Sequence, residues 1–191
     1  AAGVVIRPGE KIQINLNTST GFRAPNLDDV GKIFDPAPGV VVVPNPDLKP
    51  EYAFNIDLGI SKDLSNLLHL DITAFYTYLD NAMVRHDFLF NGEDSIMYNG
   101  ELCKVQAITN SSYARVYGTQ INLLANITGW LSIRSVLNIT KGTEKGGIPL
   151  RHTAPVFGST HLIYTSSKLT ADLYSGYNGS RKYEDMAPSE T

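Results

Sequence analysis

Residues 51–60 read EYAFNIDLGI, and this stretch decides the fold class. Its even-numbered positions are all apolar, while its odd-numbered positions are small, polar or charged. A period of two is typical of a β-strand with one apolar surface, whereas an α-helix repeats every 3.6 residues. We therefore predict a strand here, with the apolar side chains gathered on one face.

The same period recurs along most of the chain. Residues 68–78 read LHLDITAFYTY and alternate as clearly. Weaker alternation predicts further strands at 12–17, 117–127, 131–139, 156–164 and 169–177, with a stub at 2–6. No stretch of eleven or more residues keeps a 3.6-residue period, so we expect about seven strands plus a stub, and no helix.

The connections between these segments alternate in length. The short ones are residues 7–10, 61–66, 128–130 and 165–168, and the long ones are residues 21–50, 85–112 and 141–155. Outer-membrane barrels have short periplasmic turns at one end and longer extracellular loops at the other. A soluble sandwich has no reason to sort its loops in this way, so the alternation favours a transmembrane barrel.

Charge is confined to one face of the two clearest strands. Asp57, His69 and Asp71 lie opposite the apolar face, which carries no charged residue. This is expected of a lipid-facing surface, where a Lys or Arg at mid-depth costs about 2–4 kcal/mol. Aromatic residues fall near both ends, as interfacial belts do: Trp130 and Tyr164 towards the short turns, and Tyr52, Phe54, Tyr76, Tyr78, Tyr117 and Tyr177 towards the long connections.

A soluble β-rich ligand-binding module without transport activity is the alternative, because a half-buried sheet in a sandwich or lipocalin-like barrel also alternates apolar and polar residues.

Other function classes are disfavoured by composition and motifs. The net charge of −3 gives no basic footprint for nucleic acid. A single cysteine, Cys103, excludes an internal disulfide, and no Cys and His stand at zinc-ligand spacing. His69 and Asp71 have no nucleophile elbow nearby in sequence, and residues 142–147 lack a GxGxxG order, so we expect neither an enzyme nor a bound cofactor or metal.

Two blocks carry a resemblance to a known family. Residues 21–27 read GFRAPNL and residues 45–51 read NPDLKPE, at the two ends of one long connection and directly before a strand. This pair resembles TonB-dependent receptors, the outer-membrane transporters of Gram-negative bacteria. The motif residues are Phe22, Arg23, Ala24, Pro25, Asn26, Leu27, Asn45, Pro46, Asp47, Leu48, Lys49, Pro50 and Glu51. We interpret them as architecture of the barrel rim, where prolines end one strand and delay the next and where Arg23 and Glu51 pair across the loop.

The resemblance implies an all-β fold of antiparallel up-and-down strands, part of a transmembrane barrel of twenty-two strands in the outer membrane. Residues 1–191 would be a portion of that barrel domain, without the N-terminal plug, its TonB-contacting segment or the final strand. The implied function is import of a scarce solute: chelated iron, as a ferric siderophore or haem, or cobalamin. The implied partners are outer-membrane lipid, the TonB complex through the plug, and the extracellular ligand.

Ligand contacts are expected from the long connections. The candidates are Arg23, Arg85, His86, Arg151 and His152. Arginine suits an anionic chelate because its planar fork binds carboxylates with two hydrogen bonds. His86 and His152 have the chemistry of axial haem ligands. However, relatives that import haem typically carry a histidine between the two blocks, and residues 26–44 contain none, so the cargo stays open.

Overall fold

A computed structural model describes residues 1–111 and 113–188 of the chain. Most of it is strand. In chain order the strands are β1 (Ala2–Gly9), β2 (Ile12–Arg23), β3 (Phe34–Ala37), β4 (Val40–Val43), β5 (Glu51–Ser65), β6 (Leu68–Asp80), β7 (Met83–Asp87), β8 (Ser95–Tyr98), β9 (Glu101–Asn110), β10 (Tyr113–Asn126), β11 (Leu131–Glu144), β12 (Phe157–Thr165) and β13 (Thr170–Asn178).

The alternating segments form one large sheet, as predicted. Its eight strands lie in the order β1-β2-β5-β6-β10-β11-β12-β13, and every neighbouring pair is antiparallel. Chain order and spatial order agree, so the strands run up and down without crossovers. The all-β, up-and-down part of the prediction is confirmed, and the sheet is an open portion of a barrel.

The long connections differ from the prediction, because two of them also form strands. Strands β3, β4, β7, β8 and β9 make a second sheet, here called the cap sheet. Within it β4 pairs with β9 in parallel, which joins the connection after β2 to the connection after β6. Val41, Val43, Cys103, Val105 and Ala107 form its core and are almost fully buried. The cap sheet therefore turns two loops into a single packed unit.

The expectation of no helix is wrong in one place. A single-turn helix, α1 (Leu27–Gly31), follows β2, and short 3-10 turns cover Lys145–Gly147 and Tyr183–Asp185. Asn26 begins α1 with a reciprocal capping box to Asp29, so local hydrogen bonding stabilises a turn too short to show a 3.6-residue period. Within residues 1–111 and 113–188, no helix has the length and apolar character needed to cross a membrane.

The large sheet exposes its apolar side chains and shields its polar ones, the reverse of the arrangement in a soluble protein. Along residues 51–60 of β5 the exposed side chains are the apolar ones, with Phe54 51% and Leu58 46% exposed, while Asn55 and Asp57 on the other face are half-buried. Register continues this apolar face across the strands, since Ile72 pairs with Ile60 on one side and Ile121 on the other. A broad apolar surface facing outwards needs lipid to cover it.

The opposite face, here called the lumen face, is polar and internally hydrogen-bonded. Asn55 donates to Asp57 over 2.8 Å and accepts from the Thr77 hydroxyl over 2.6 Å. Gly118 makes room for a large neighbour on this face, since a Cβ there would lie 2.8 Å from Cζ of Phe75. Polar groups on this face thus have partners without a conventional core.

Aromatic rings mark both ends of the sheet. Trp130 and Tyr164 contact each other beside the short turns, with 5.6 Å between ring centroids. Phe22 and Tyr52 lie near the long connections, with centroids 6.4 Å apart. Both pairs lie where interfacial belts are expected.

Candidate functional site

The FRAP block shapes the start of the first long connection. Arg23 Nη2 lies 3.0 Å from Asp29 Oδ2, and Asn26 accepts a 2.8 Å hydrogen bond from the Asp29 amide. The expected pairing of Arg23 with Glu51 is wrong: the two residues face each other in the backbone register, but Arg23 turns to α1 instead. Phe22, Ala24 and Leu27 are exposed and Pro25 is half-buried.

The NPDLKPE block fastens the two long connections together. Asn45, only 7% exposed, donates from Nδ2 to the Ile108 carbonyl of the cap sheet over 2.9 Å. Asn110 accepts from the Lys49 amide over 2.8 Å and donates to the Lys49 carbonyl over 2.9 Å. Glu51 Oε2 accepts from the Met83 amide over 2.8 Å.

The other members of this block are peripheral. Pro46, Asp47 and Pro50 are exposed and Leu48 is half-buried, while the Asp47 amide donates to the Asn45 side chain over 3.1 Å. The hydrogen bonds of Asn45, Lys49 and Glu51 hold the second connection against the first. This arrangement agrees with a role in rim architecture.

A cavity of about 570 Å³ lies between the cap sheet and the third long connection. It is lined by residues 83–87 of β7, by residues 104, 106 and 108 of β9, by the end of β11 and by residues 149–152. Ala187 and Pro188 line one side. Four of the five predicted contact residues line this cavity: Arg85, His86, Arg151 and His152. Arg23 does not line it and is bound to Asp29.

An ion pair and a histidine–carboxylate contact contribute to the cavity wall. Lys104 Nζ lies 2.6 Å from Asp87 Oδ2, and this hydrogen bond lowers the pKa of Asp87 below its ordinary value of 3.8. His86 Nε2 lies 3.1 Å from Oε2 of Glu144, a buried carboxylate at the end of β11. The second contact joins the cap sheet to the main sheet across the cavity.

Arg85 and Arg151 also line the cavity, but their Nε atoms have no hydrogen-bond partner, unlike Lys104 and His86. The Nε atoms of Arg85 and Arg151 are both buried and make no hydrogen bond. Burial lowers the pKa of Arg85, and the nearby charge of Arg151 lowers it further. The Arg85 guanidinium also lies over the Phe34 ring, 5.8 Å from its centroid. The cavity thus holds two guanidinium groups close enough to repel each other.

Glu144 and Phe34 are site residues that were not singled out individually from the sequence. Phe34 falls inside the long connection at residues 21–50, from which we expected ligand contacts. Glu144 lies within the long connection predicted at residues 141–155 and gives no separate signal, because its role depends on which strand approaches it. Only the pairing of β7 with β9 brings His86 to that carboxylate.

A second cluster lies on the lumen face near the short turns. His69 Nδ1 is 2.6 Å from Asp63 Oδ1, and its Nε2 is 3.2 Å from Asp71 Oδ2 and 3.3 Å from Ser61 Oγ. The composition is that of a catalytic triad. However, each ring nitrogen faces a carboxylate acceptor, so neither is left as a base for Ser61. The cluster is a polar network of the lumen face.

Comparisons with known proteins agree with this geometry. A curated relative, the haemoglobin and haemoglobin-haptoglobin-binding protein A of Haemophilus influenzae, is 26% identical over 96% of this chain and 18% of its own length. A variant of the ferric enterobactin receptor from Pseudomonas aeruginosa, solved with enterobactin, aligns with a TM-score of 0.71 at 17% identity, covering 93% of this chain and 27% of that one. The siderophore receptor PirA from Acinetobacter baumannii aligns with a TM-score of 0.66 at 17% identity, covering 89% and 27%.

The chain spans about a fifth of the length of the curated relatives that it matches. The family model described as TonB dependent receptor-like, beta-barrel, matches residues 1–190. Members of this family are outer-membrane β-barrel proteins of Gram-negative bacteria. The match therefore favours the transmembrane barrel over the alternative of a soluble module. The chain belongs to the TonB-dependent receptor family, as a portion of its β-barrel domain.

Proposed function

We propose that this chain is part of an outer-membrane receptor that imports a scarce solute, most simply chelated iron as a ferric siderophore or haem, with cobalamin as a further cargo. The observation that carries the proposal is the cavity at the long-connection end of the sheet. Cationic and imidazole side chains that are distant in sequence, at 85–86 and 151–152, line it together. A lipid-facing sheet with such a cavity at one end is suited to capturing solutes from outside the cell.

The names of relatives support iron as the cargo element, since they include siderophore receptors and proteins that bind haemoglobin. The cavity itself favours a chelate over bare haem. His86 Nε2 already faces Glu144, so haem iron would have to take the other ring nitrogen or break this contact. In a ferric siderophore the iron is already coordinated by the chelator, so the protein needs to supply only polar contacts and no iron ligand. Passage into the periplasm would draw on the TonB complex through a plug.

The proposal is tested with the full-length receptor in cells that depend on it for one iron source or vitamin. We expect a double deletion of residues 32–43 and 87–101 to abolish uptake, because it removes Asp87 from the cavity wall and removes β3, β4 and β8 from the cap sheet that supports this wall. A matched control shortens the turn at residues 166–168, at the opposite end of the sheet. Surface levels are measured for each variant. Unchanged uptake by the double deletion at equal surface level would refute the assignment of ligand capture to these connections.

A further inference from the structure

Two basic residues interrupt the apolar outer face of the large sheet. Arg115 of β10 and Lys141 of β11 are both exposed. Arg115 is six residues from Ile121 along β10, and Lys141 pairs with Tyr117, which is four residues from Ile121. Even spacing keeps side chains on one face of a strand, so both basic residues share the face of Ile121. They therefore bring positive charge to the surface that lipid covers.

Both residues lie near the outer border of the apolar band. Ala125 is level with Leu68, the first residue of β6 beside the short turn. Arg115 is ten residues from Ala125, which is about 33 Å along a strand and about 25 Å of depth at a tilt near 40°. Lys141, level with Tyr117, is about 20 Å from the same end in depth. Since the apolar band is about 25 Å tall, both positions lie where the headgroups of the outer leaflet begin.

The Arg115 side chain is directed towards the long connections. Its Cζ atom lies over the ring of Tyr113, 4.9 Å from the centroid, and Tyr113 is two residues nearer the outer end of β10. The Tyr113 ring in turn stacks on Tyr78 of β6, with 5.9 Å between centroids. Long basic side chains at a membrane border keep their charge in the headgroup layer, and tyrosines are enriched at the same level. The guanidinium is thus held at headgroup depth.

The two cations are not neutralised by the chain. Across residues 1–111 and 113–188, neither Arg115 nor Lys141 makes an ion pair. Asp80 is the acidic residue closest to Arg115 in the sheet register, since it pairs with Tyr113. Its carboxylate instead accepts a 3.4 Å hydrogen bond from Nδ2 of Asn81. Both positive charges are therefore available to an anion from outside the chain.

The sheet register places the two cations side by side. Arg115 pairs with Thr143 and Tyr117 pairs with Lys141, so Arg115 and Lys141 are diagonal neighbours across β10 and β11. Diagonal neighbours on one face are about 7–8 Å apart, within reach of long side chains. One anion with several oxygens can therefore contact both. A phosphate group fits, because arginine binds it with two hydrogen bonds and lysine binds it as a point charge.

We propose that Arg115 and Lys141 bind a phosphate group of an outer-leaflet lipid, with the acyl chains of that lipid lying on the apolar face below. The occupant is a membrane lipid and not a free phosphate ion, because the two cations lie at the border of a surface that lipid covers. Charge complementarity selects a phosphorylated lipid over a neutral one. The inference goes beyond the proposed function, since it concerns the outer surface of the barrel and involves no cargo.

The first experiment asks which lipid stays bound to the full-length receptor. The protein is extracted from outer membranes in mild detergent, and its bound lipids are measured by native mass spectrometry. We expect the wild type to retain a phosphorylated glycolipid and the double variant Arg115→Gln/Lys141→Gln to lose most of it. Lys62→Gln is the matched control and should retain it. Lys62 is exposed on the same face at the opposite end of the sheet, level with Ile12 and Leu70.

The second experiment tests recognition of the phosphate. Purified receptor in detergent is titrated with fluorescent lipid A that carries two phosphates and with the same lipid after removal of both, and binding is followed by anisotropy. A basic residue near a membrane surface contributes enough attraction to anionic lipid for each single Gln variant to weaken binding about fivefold, and the double variant about thirtyfold. The dephosphorylated lipid should bind the wild type and all variants equally weakly. Inorganic phosphate at the same concentration should not displace lipid A.

The outcomes are decisive whether or not every variant folds. Equal binding of the two lipids by the wild type, or equal binding of phosphorylated lipid A by the wild type and the double variant, would overturn the proposal. A loss for Lys62→Gln as large as for the double variant would also overturn it, and so would displacement by inorganic phosphate. If the double variant does not fold, the single variants decide, together with Arg115→Lys/Lys141→Arg, which keeps both charges and should bind like the wild type.

Discussion

Lysine substitutions at two adjacent positions of β6 test which face of the sheet meets lipid. Ile72 is 37% exposed and lies between Ile60 and Ile121 in the neighbouring strands. Thr73 lies on the lumen face, between Gly59 and Gln120. The two positions are adjacent in one strand and lie at nearly the same depth in the membrane. A difference in stability between the two lysine variants therefore depends only on which face of the sheet carries the lysine.

The expected cost follows from the depth of Ile72. It is four residues from Leu68, the first residue of β6, which is about 13 Å along a strand and about 10 Å of depth at a tilt near 40°. That is close to the middle of an apolar band about 25 Å tall. Ile72→Lys should therefore cost about 2–4 kcal/mol, or a roughly 30- to 700-fold weaker folding equilibrium. We expect Thr73→Lys to cost at most about 1 kcal/mol, because the lumen face is polar.

The measurement is made on full-length receptor. Folding free energies are obtained by denaturant titration in lipid vesicles, and outer-membrane yields are compared in cells. A loss confined to Ile72→Lys agrees with the barrel. Equal losses at both positions, or a greater loss for Thr73→Lys, would remove the main physical support for a lipid-facing sheet.

Three further predictions concern the cap sheet and the isolated chain. We expect Asn110→Ala to cost about 1–3 kcal/mol, because it removes the hydrogen bonds to Lys49, and to speed hydrogen exchange at the Lys49 amide and in β7; unchanged exchange would contradict this. The lowered pKa of Asp87 means that its pairing with Lys104 stabilises the folded state above pH 3.8 and loses this effect as acidification passes through the folded pKa. Since Asp87 is 61% exposed, Lys104→Met should cost under about 1 kcal/mol at pH 7, and the cost should shrink as the pH falls below 3.8. A larger cost at low pH than at pH 7 would contradict this argument. Residues 1–191 purified without detergent should self-associate through the exposed apolar face and open sheet edges, whereas a stable monomer by light scattering would contradict this.

The main sheet could be predicted from sequence because each strand has one apolar and one polar face. Period-two patterning identified all eight strands, although it placed their ends too early at the long connections: β2 continues to Arg23 and β11 to Glu144. Near the rim the strands leave the lipid, so apolar residues no longer need to alternate there. The pattern fades although the backbone pairing continues.

The cap sheet could not be predicted in this way. Strand β4 is the run Val40–Val43, which is apolar at every position because it packs on both faces in a parallel pair with β9. That pairing joins residues more than sixty positions apart, which local patterning does not reveal. The helix α1 did leave a local signal, since Asn26 and Asp29 have the spacing of a capping box.

The candidate site was predictable in its residue types but not in its arrangement. Charged and imidazole side chains in long connections indicated ligand contacts at 85–86 and 151–152. Their meeting in one cavity depends on β7 pairing with β9 and on His86 reaching Glu144. Arg23 shows the limit of the approach, because its attraction to Asp29 only becomes evident once α1 has formed.

The most direct test of the proposed function is uptake of radioactive iron by cells in which the full-length receptor is deleted or restored. The iron is presented as an anionic ferric catecholate, a neutral ferric hydroxamate and haem, and labelled cobalamin is assayed alongside, each with and without an uncoupler of the proton gradient. We expect the restored cells to accumulate at least one of these cargoes and to stop accumulating it when the gradient collapses. Identical accumulation of all four cargoes in deleted and restored cells would contradict the assignment of this chain to an import receptor.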